Sequence, residues 1–189
     1  MAVQITTLDN GLRIATDPMA ELETAAVGVW VDVGARNEDA SLNGISHVLE
    51  HMAFKGTERR NALQIAEEIE AVGGHLNAYT SREQTAYFAR ILKNDLPLAV
   101  DILADILQNS TFAAEELERE RTVIIQEIGQ TKDTPDDLVF EHFQLAAYPD
   151  QPLGRSILGT EEHVSRFART TLQDYMGTHY RGPGMVLAA

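Results

Sequence analysis

Two histidines and a glutamate stand within five residues, His47-Val48-Leu49-Glu50-His51. On a helix, residues four apart lie one above the other, so both imidazoles can reach one ion. Glu50, next to that stripe, can then act on a water held beside the ion. A catalytic zinc site uses three protein ligands and leaves a fourth position open for water, so two imidazoles need one more partner. The chain has no cysteine, which leaves His, Asp or Glu to complete the set. Glu127, at 127 − 51 = 76 positions after His51, is one such carboxylate, and Glu120 lies two helical turns before it on the same face.

Residues 45–54 read as the helix that must carry the pair, and the acidic stretch within 113–131 reads as a second helix carrying Glu120 and Glu127. Upstream, strands are expected over 3–8 and 12–16 around an Asp9-Asn10-Gly11 turn, with a third over 25–33 beside them as a meander. A helix over 62–72 stops at Gly73-Gly74. Strands follow over 75–80 and 84–92, then helices over 96–108, 138–147 and 171–180. Strands early and helices late predict an α+β domain, with helices packed on one face of a mainly antiparallel sheet. Residues 185–189 read as the opening of a buried strand, and their apolar character at the end of the chain suggests a fragment: one domain over 1–189.

The chain has 189 residues, 44% of them apolar, and a net charge of 15 − 29 = −14. It is long enough for a core without disulfides. The lack of cysteine excludes thiol catalysis and iron–sulfur ligation. The acidic balance opposes binding to nucleic acid or to an anionic membrane and favours basic partners or substrates. No stretch reads as a signal peptide or a transmembrane helix, so a cytoplasmic protein is expected.

His47 to Thr57, H-V-L-E-H-M-A-F-K-G-T, resembles the signature of the inverzincin metallopeptidases. That family includes pitrilysin, insulin-degrading enzyme and mitochondrial processing peptidase, and the chain looks most like the processing peptidase β-subunits and their bacterial relatives. The motif reverses the H-E-x-x-H order of other zinc peptidases. The resemblance implies one Zn2+ held by His47, His51 and Glu127, with Glu50 as general base and Glu120 supporting a ligand. Manganese or cobalt could occupy the same set.

Residues 73–88 resemble the family's substrate-binding edge strand, with Asn77 and Ala78 facing the scissile region; an ordinary hairpin would carry the same pattern. Phe54 matches the aromatic residue lining the pocket across the scissile bond. Asp137 and Glu141, four apart, match acidic residues that recognise a substrate arginine, although a solvated acidic face also looks like this. The implied activity is a zinc endopeptidase acting on extended or unfolded peptides, with cleavage near arginine as the expected preference. The alternative is a zinc-binding but inactive half, or a non-catalytic assembly subunit. The implied partners are a peptide substrate and a C-terminal half or partner subunit of the same fold, with a homo-oligomer possible, and the implied setting is the bacterial cytoplasm.

Overall fold

The computed structural model describes residues 3–189; Met1 and Ala2 lie outside them. Six strands form one sheet: β1 (Gln4–Thr7), β2 (Arg13–Thr16), β3 (Thr24–Val31), β4 (His75–Thr80), β5 (Thr85–Leu92) and β6 (Met185–Ala188). The order across the sheet is β1-β2-β6-β3-β5-β4. All neighbours are antiparallel except β2 and β6, which run parallel.

The expected meander of the first three strands is therefore corrected, because β6 sits between β2 and β3. Residues 17–23 join those two strands. Two strand positions span about 10 Å, and seven residues can reach more than twice that, so a gap for β6 needs no special connection. The other strands fall close to their expected bounds.

Alternation along β3 and β5 sends Val27, Val29, Val31, Tyr87, Ala89 and Ile91 to one face, where all are buried. The helices lie on that side: α1 (Ile45–Ala53), α2 (Ala62–Ala71), α3 (Leu96–Gln108), α4 (Ala114–Asp133), α5 (Pro135–Ala147), which packs on α4, α6 (Glu161–Arg166) and α7 (Arg169–His179). α3 packs on β3 and β5, α1 and α2 lie over β4, and α4 crosses α1. Ile45, Leu49 and Met52 of α1, Ile102 and Ile106 of α3, and Ile124 of α4 interlock in one core. The sheet is mainly antiparallel with helices on one face, as expected.

Local signals set several boundaries. Asn61 and Gln64 exchange side-chain and backbone hydrogen bonds at the start of α2, a capping box. Gly73, at φ +70°, ends that helix in the left-handed region, with the Gly74 N–H donating to Ile69 O at 2.9 Å. Two helices differ from expectation: α5 starts at Pro135, where the ring's fixed φ suits a first helical turn, and the short α6 had no apolar period long enough to announce it.

The turn that follows α1 is tied to α3 by a buried carboxylate. Asp105, only 1% exposed, accepts from Thr57 Oγ1 (2.7 Å), Arg60 Nη1 (2.8 Å), Arg59 Nε (3.1 Å) and Asn109 Nδ2 (2.9 Å). Burial pushes its pKa up, but hydrogen bonds from Asn109, Thr57, Arg60 and Arg59 outweigh that and hold it far below the usual carboxylate range. A carboxylate with a depressed folded pKa stabilises the fold above its unfolded pKa, near 4, and loses that contribution as pH falls toward the folded value. Thermal denaturation should accordingly show the melting temperature dropping below about pH 4. Asp105→Asn should cost about 3 kcal/mol at neutral pH and flatten that acid limb.

Candidate metal centre

α1 is only nine residues long and places Ser46, His47, Val48 and Leu49 in the interior. Its polar stripe, His47, Glu50 and His51, turns toward α4. The two imidazole rings stand 4.6 Å apart, edge to face at 68°. From α4, Glu127 brings Oε2 to 3.7 Å from His47 Nε2 and 3.5 Å from His51 Nε2. One ligand atom from each of the three residues lies within 4.8 Å of the others.

Those separations exceed a hydrogen bond, and Glu127 Oε2 is buried with no hydrogen-bond partner. Leaving a carboxylate oxygen buried and unpaired is costly. Three donors at about 2.1 Å from a tetrahedral ion would stand about 3.4 Å from one another. The His47, His51 and Glu127 set therefore fits a zinc-sized divalent ion, and nitrogen and carboxylate donors suit zinc chemically.

The protonation states favour the same use. Burial, with the neighbouring His51 adding to it, pushes the His47 pKa down to about 4, so the ring is neutral at neutral pH and has a nitrogen lone pair to give an ion. His51 Nδ1 lies 3.0 Å from Glu120 Oε2, and Glu120 Oε1 is 2.7 Å from Lys55 Nζ. Burial works to raise the Glu120 pKa, but the bonds from Lys55 and His51 bring it below the ordinary value. A carboxylate accepting from Nδ1–H fixes the tautomer and leaves Nε2 for an ion.

Glu50 lies between the histidines in sequence and beside Thr80, at the end of β4. Burial raises its pKa, while hydrogen bonding to Thr80 and the charge of His51 partly oppose this. A carboxyl shifted this way is a stronger base at neutral pH.

The remaining sequence-derived residues are more spread out. Phe54 caps the C-terminus of α1 and is half-buried against the core. β4 is an edge strand over α1. Ala78 points into the core, while Asn77 is exposed and its Oδ1 accepts from the Ala78 N–H at 2.9 Å. Asp137 is exposed in the first turn of α5, and Glu141, one turn on, lies 3.5 Å from Arg82 Nη2. None of these substrate candidates is joined to the metal-ligand group by a hydrogen bond or ion pair among the described residues.

Sequence reasoning missed Lys55, Thr80 and Glu38. Lys55 stands inside the recognised motif, four positions after His51 and two past the end of α1, and its place in the motif was a usable signal. Glu38, considered below, gave no such signal because its partners are two backbone N–H groups and the Asn43 amide, at no fixed spacing.

Residues 13–161 match the model of the family described as Insulinase (Peptidase family M16). A probable mitochondrial-processing peptidase subunit beta from Arabidopsis thaliana is 50% identical over 186 residues, which is 98% of this chain and 35% of that relative. Among solved structures, a protease from Helicobacter pylori superposes with a TM-score of 0.94 at 24% identity, covering 99% of this chain and 45% of its own. An M16 inactive domain from Pseudomonas fluorescens gives 0.92 at 17% identity, covering 100% and 46%. The chain thus spans little more than a third of that relative and less than half of either structure. The relative's name places it in mitochondria and lends no support to the bacterial cytoplasmic setting expected above. No helix among the described residues is long and apolar enough to cross a membrane. With a family match over most of its length, the chain belongs to the insulinase family of peptidases, M16.

Proposed function

We propose that this chain is the metal-binding catalytic domain of a zinc endopeptidase that cleaves extended or unfolded peptides, with a preference for arginine near the scissile bond. The observation that carries this reading is the unpartnered Glu127 Oε2 between two imidazole Nε2 atoms. Zinc, when bound, supplies a Lewis acid that polarises a peptide carbonyl and acidifies water.

The chain's own residues do the rest. Glu50 accepts the proton of the attacking water and delivers it to the leaving amine nitrogen. Glu120 and Lys55 hold the His51 ring in one tautomer and one orientation. The free edge of β4 beside α1 offers backbone groups to an extended peptide, which adds as a further strand. For that, the Ala78 N–H exchanges the Asn77 side chain for a substrate carbonyl. Asp137 and Glu141 share a face of α5 and present two carboxylates to a guanidinium. Phe54 supplies an apolar wall beyond His51.

The relatives named as beta subunits, together with the fraction of their length matched here, support a partner of the same fold, in the same chain or as a second subunit, that completes the substrate chamber. The Pseudomonas structure, named as an inactive domain, shares this fold, so fold alone does not carry the activity. The presence of His47, Glu50, His51 and Glu127 together favours the catalytic reading over a purely structural subunit.

Elemental analysis and cleavage of a quenched arginine-containing peptide test this together. Glu50→Gln should retain near-stoichiometric zinc and lose about 10²–10⁴-fold in turnover, whereas His51→Ala should lose the metal. Chelation should abolish cleavage and added zinc restore it. Near-normal activity in Glu50→Gln would defeat the assignment. For the specificity pocket, the double change Asp137→Asn with Glu141→Gln should raise KM about tenfold or more for the arginine peptide and leave an arginine-free peptide unaffected; equal effects on both would remove the pocket.

A further inference from the structure

α1 lacks the side-chain cap a helix of its length ordinarily has. Its N-cap is Gly44, at φ +99°. A Cβ there would lie 2.7 Å from Leu158 O and 2.8 Å from Gly159 Cα, so no Ser, Thr, Asp or Asn can occupy the position. The first N–H groups of the helix must be satisfied from elsewhere.

Glu38 supplies that. It lies six residues before the N-cap and is 2% exposed. Its Oε2 accepts from the Gly44 N–H at 2.8 Å and from Asn43 Nδ2 at 3.1 Å, and its Oε1 accepts from the Ser46 N–H at 2.9 Å. These partners are all neutral, so the buried charge is met by N–H donors and by the positive end of the helix dipole. Asn43 is held in turn by Ser156 O at 2.9 Å, and Arg155 donates to the Glu38 backbone carbonyl.

The residue held most tightly is Ser46, immediately before His47. Its N–H goes to Glu38, its carbonyl accepts from Thr80 Oγ1 at 3.4 Å, and its hydroxyl meets Tyr175 OH at 3.2 Å. His47 is the third residue of α1, inside the turn that frays first when a cap is removed. Its ring makes no hydrogen bond at Nδ1, which is buried without a partner. His51, by contrast, is held separately by Glu120.

We propose that Glu38 is a positioning residue of the metal centre, a remote cap whose buried carboxylate fixes the first turn of α1 and with it the His47 ligand. The inference rests on the reading of His47, His51 and Glu127 as metal ligands. Loss of Glu38 acts on one ligand of the three and leaves His51 and Glu127 in place.

The test is zinc affinity, measured by competition with a chromophoric chelator at a temperature well below the melting transition of every variant. Wild type is compared with Glu38→Gln, Glu38→Ala, His47→Ala and Ile106→Ala, the last removing buried side-chain volume in α3. Glu38→Ala should weaken zinc about 10- to 100-fold. Glu38→Gln, which keeps one acceptor, should fall between it and wild type and serves if the alanine variant does not fold. Ile106→Ala should lower the melting temperature and leave affinity within about twofold, which separates positioning from general destabilisation. Cobalt-loaded Glu38→Gln should show altered visible absorption bands, in the direction of His47→Ala. Wild-type affinity in the Glu38 variants, or an equal loss in Ile106→Ala, overturns the proposal alone. A wild-type protein that holds no zinc overturns the ligand reading and the proposal with it.

Discussion

Three electron-rich atoms, two imidazole nitrogens and a carboxylate oxygen, are held within 4.8 Å of one another with no proton shared between them. Bringing such groups together costs free energy, so the surrounding structure has to hold them rigidly. α1 is clamped at both ends by glutamates from outside itself. Glu38 holds its first turn from the preceding loop, and Glu120 of α4 holds its last turn through His51 and Lys55. Between the clamps, Ile45, Leu49 and Met52 key the opposite face of the helix into the core. The turn that leaves α1 is fixed again by Thr57, Arg59 and Arg60 on Asp105. Polar groups that would be liabilities singly become a frame because nearly every one has a partner.

The parts of this frame legible in the sequence are those written locally. The i, i+4 histidines, the Gly73-Gly74 stop and the acidic α4 helix each depend on neighbours a few residues away. The extended reading of 75–92 survived because the β4 and β5 strands join through a short turn. The strand order did not survive. Nothing in residues 12–33 records that β6 will enter between β2 and β3, because that pairing is chosen by groups more than 150 residues apart. Glu38 was illegible for a related reason: a carboxylate that caps a helix from six residues upstream has no fixed spacing to its targets. The reach from His51 to Glu127 was legible only through the resemblance to a known family, since spacing alone leaves many carboxylates eligible.

The charge distribution connects the fold to the substrate reading. An excess of acidic residues means that each arginine or lysine has several carboxylates to choose from, and two of the buried ones, Asp105 and Glu120, are taken by cations that build the frame. Glu141 is paired only loosely, at 3.5 Å to Arg82, and Asp137 is exposed. On the proposed reading, the carboxylates left on α5 after the structural pairs are made are available to a guanidinium from outside.

The place of β6 also governs how the chain can fold. Without it, the sheet falls into two pieces, a β1–β2 hairpin and a β3–β5–β4 unit, with no hydrogen bonds between them. During synthesis both pieces can form early from local contacts, but the seam between them closes only when residues 185–188 emerge. Closure at such sequence distance is slow, and until it happens the flank of β3 is an unguarded edge, open to pairing with another chain. Because the joining strand comes more than 150 residues after the two it joins, the sheet depends on residues 185–188 for kinetic protection as well as for its pairing.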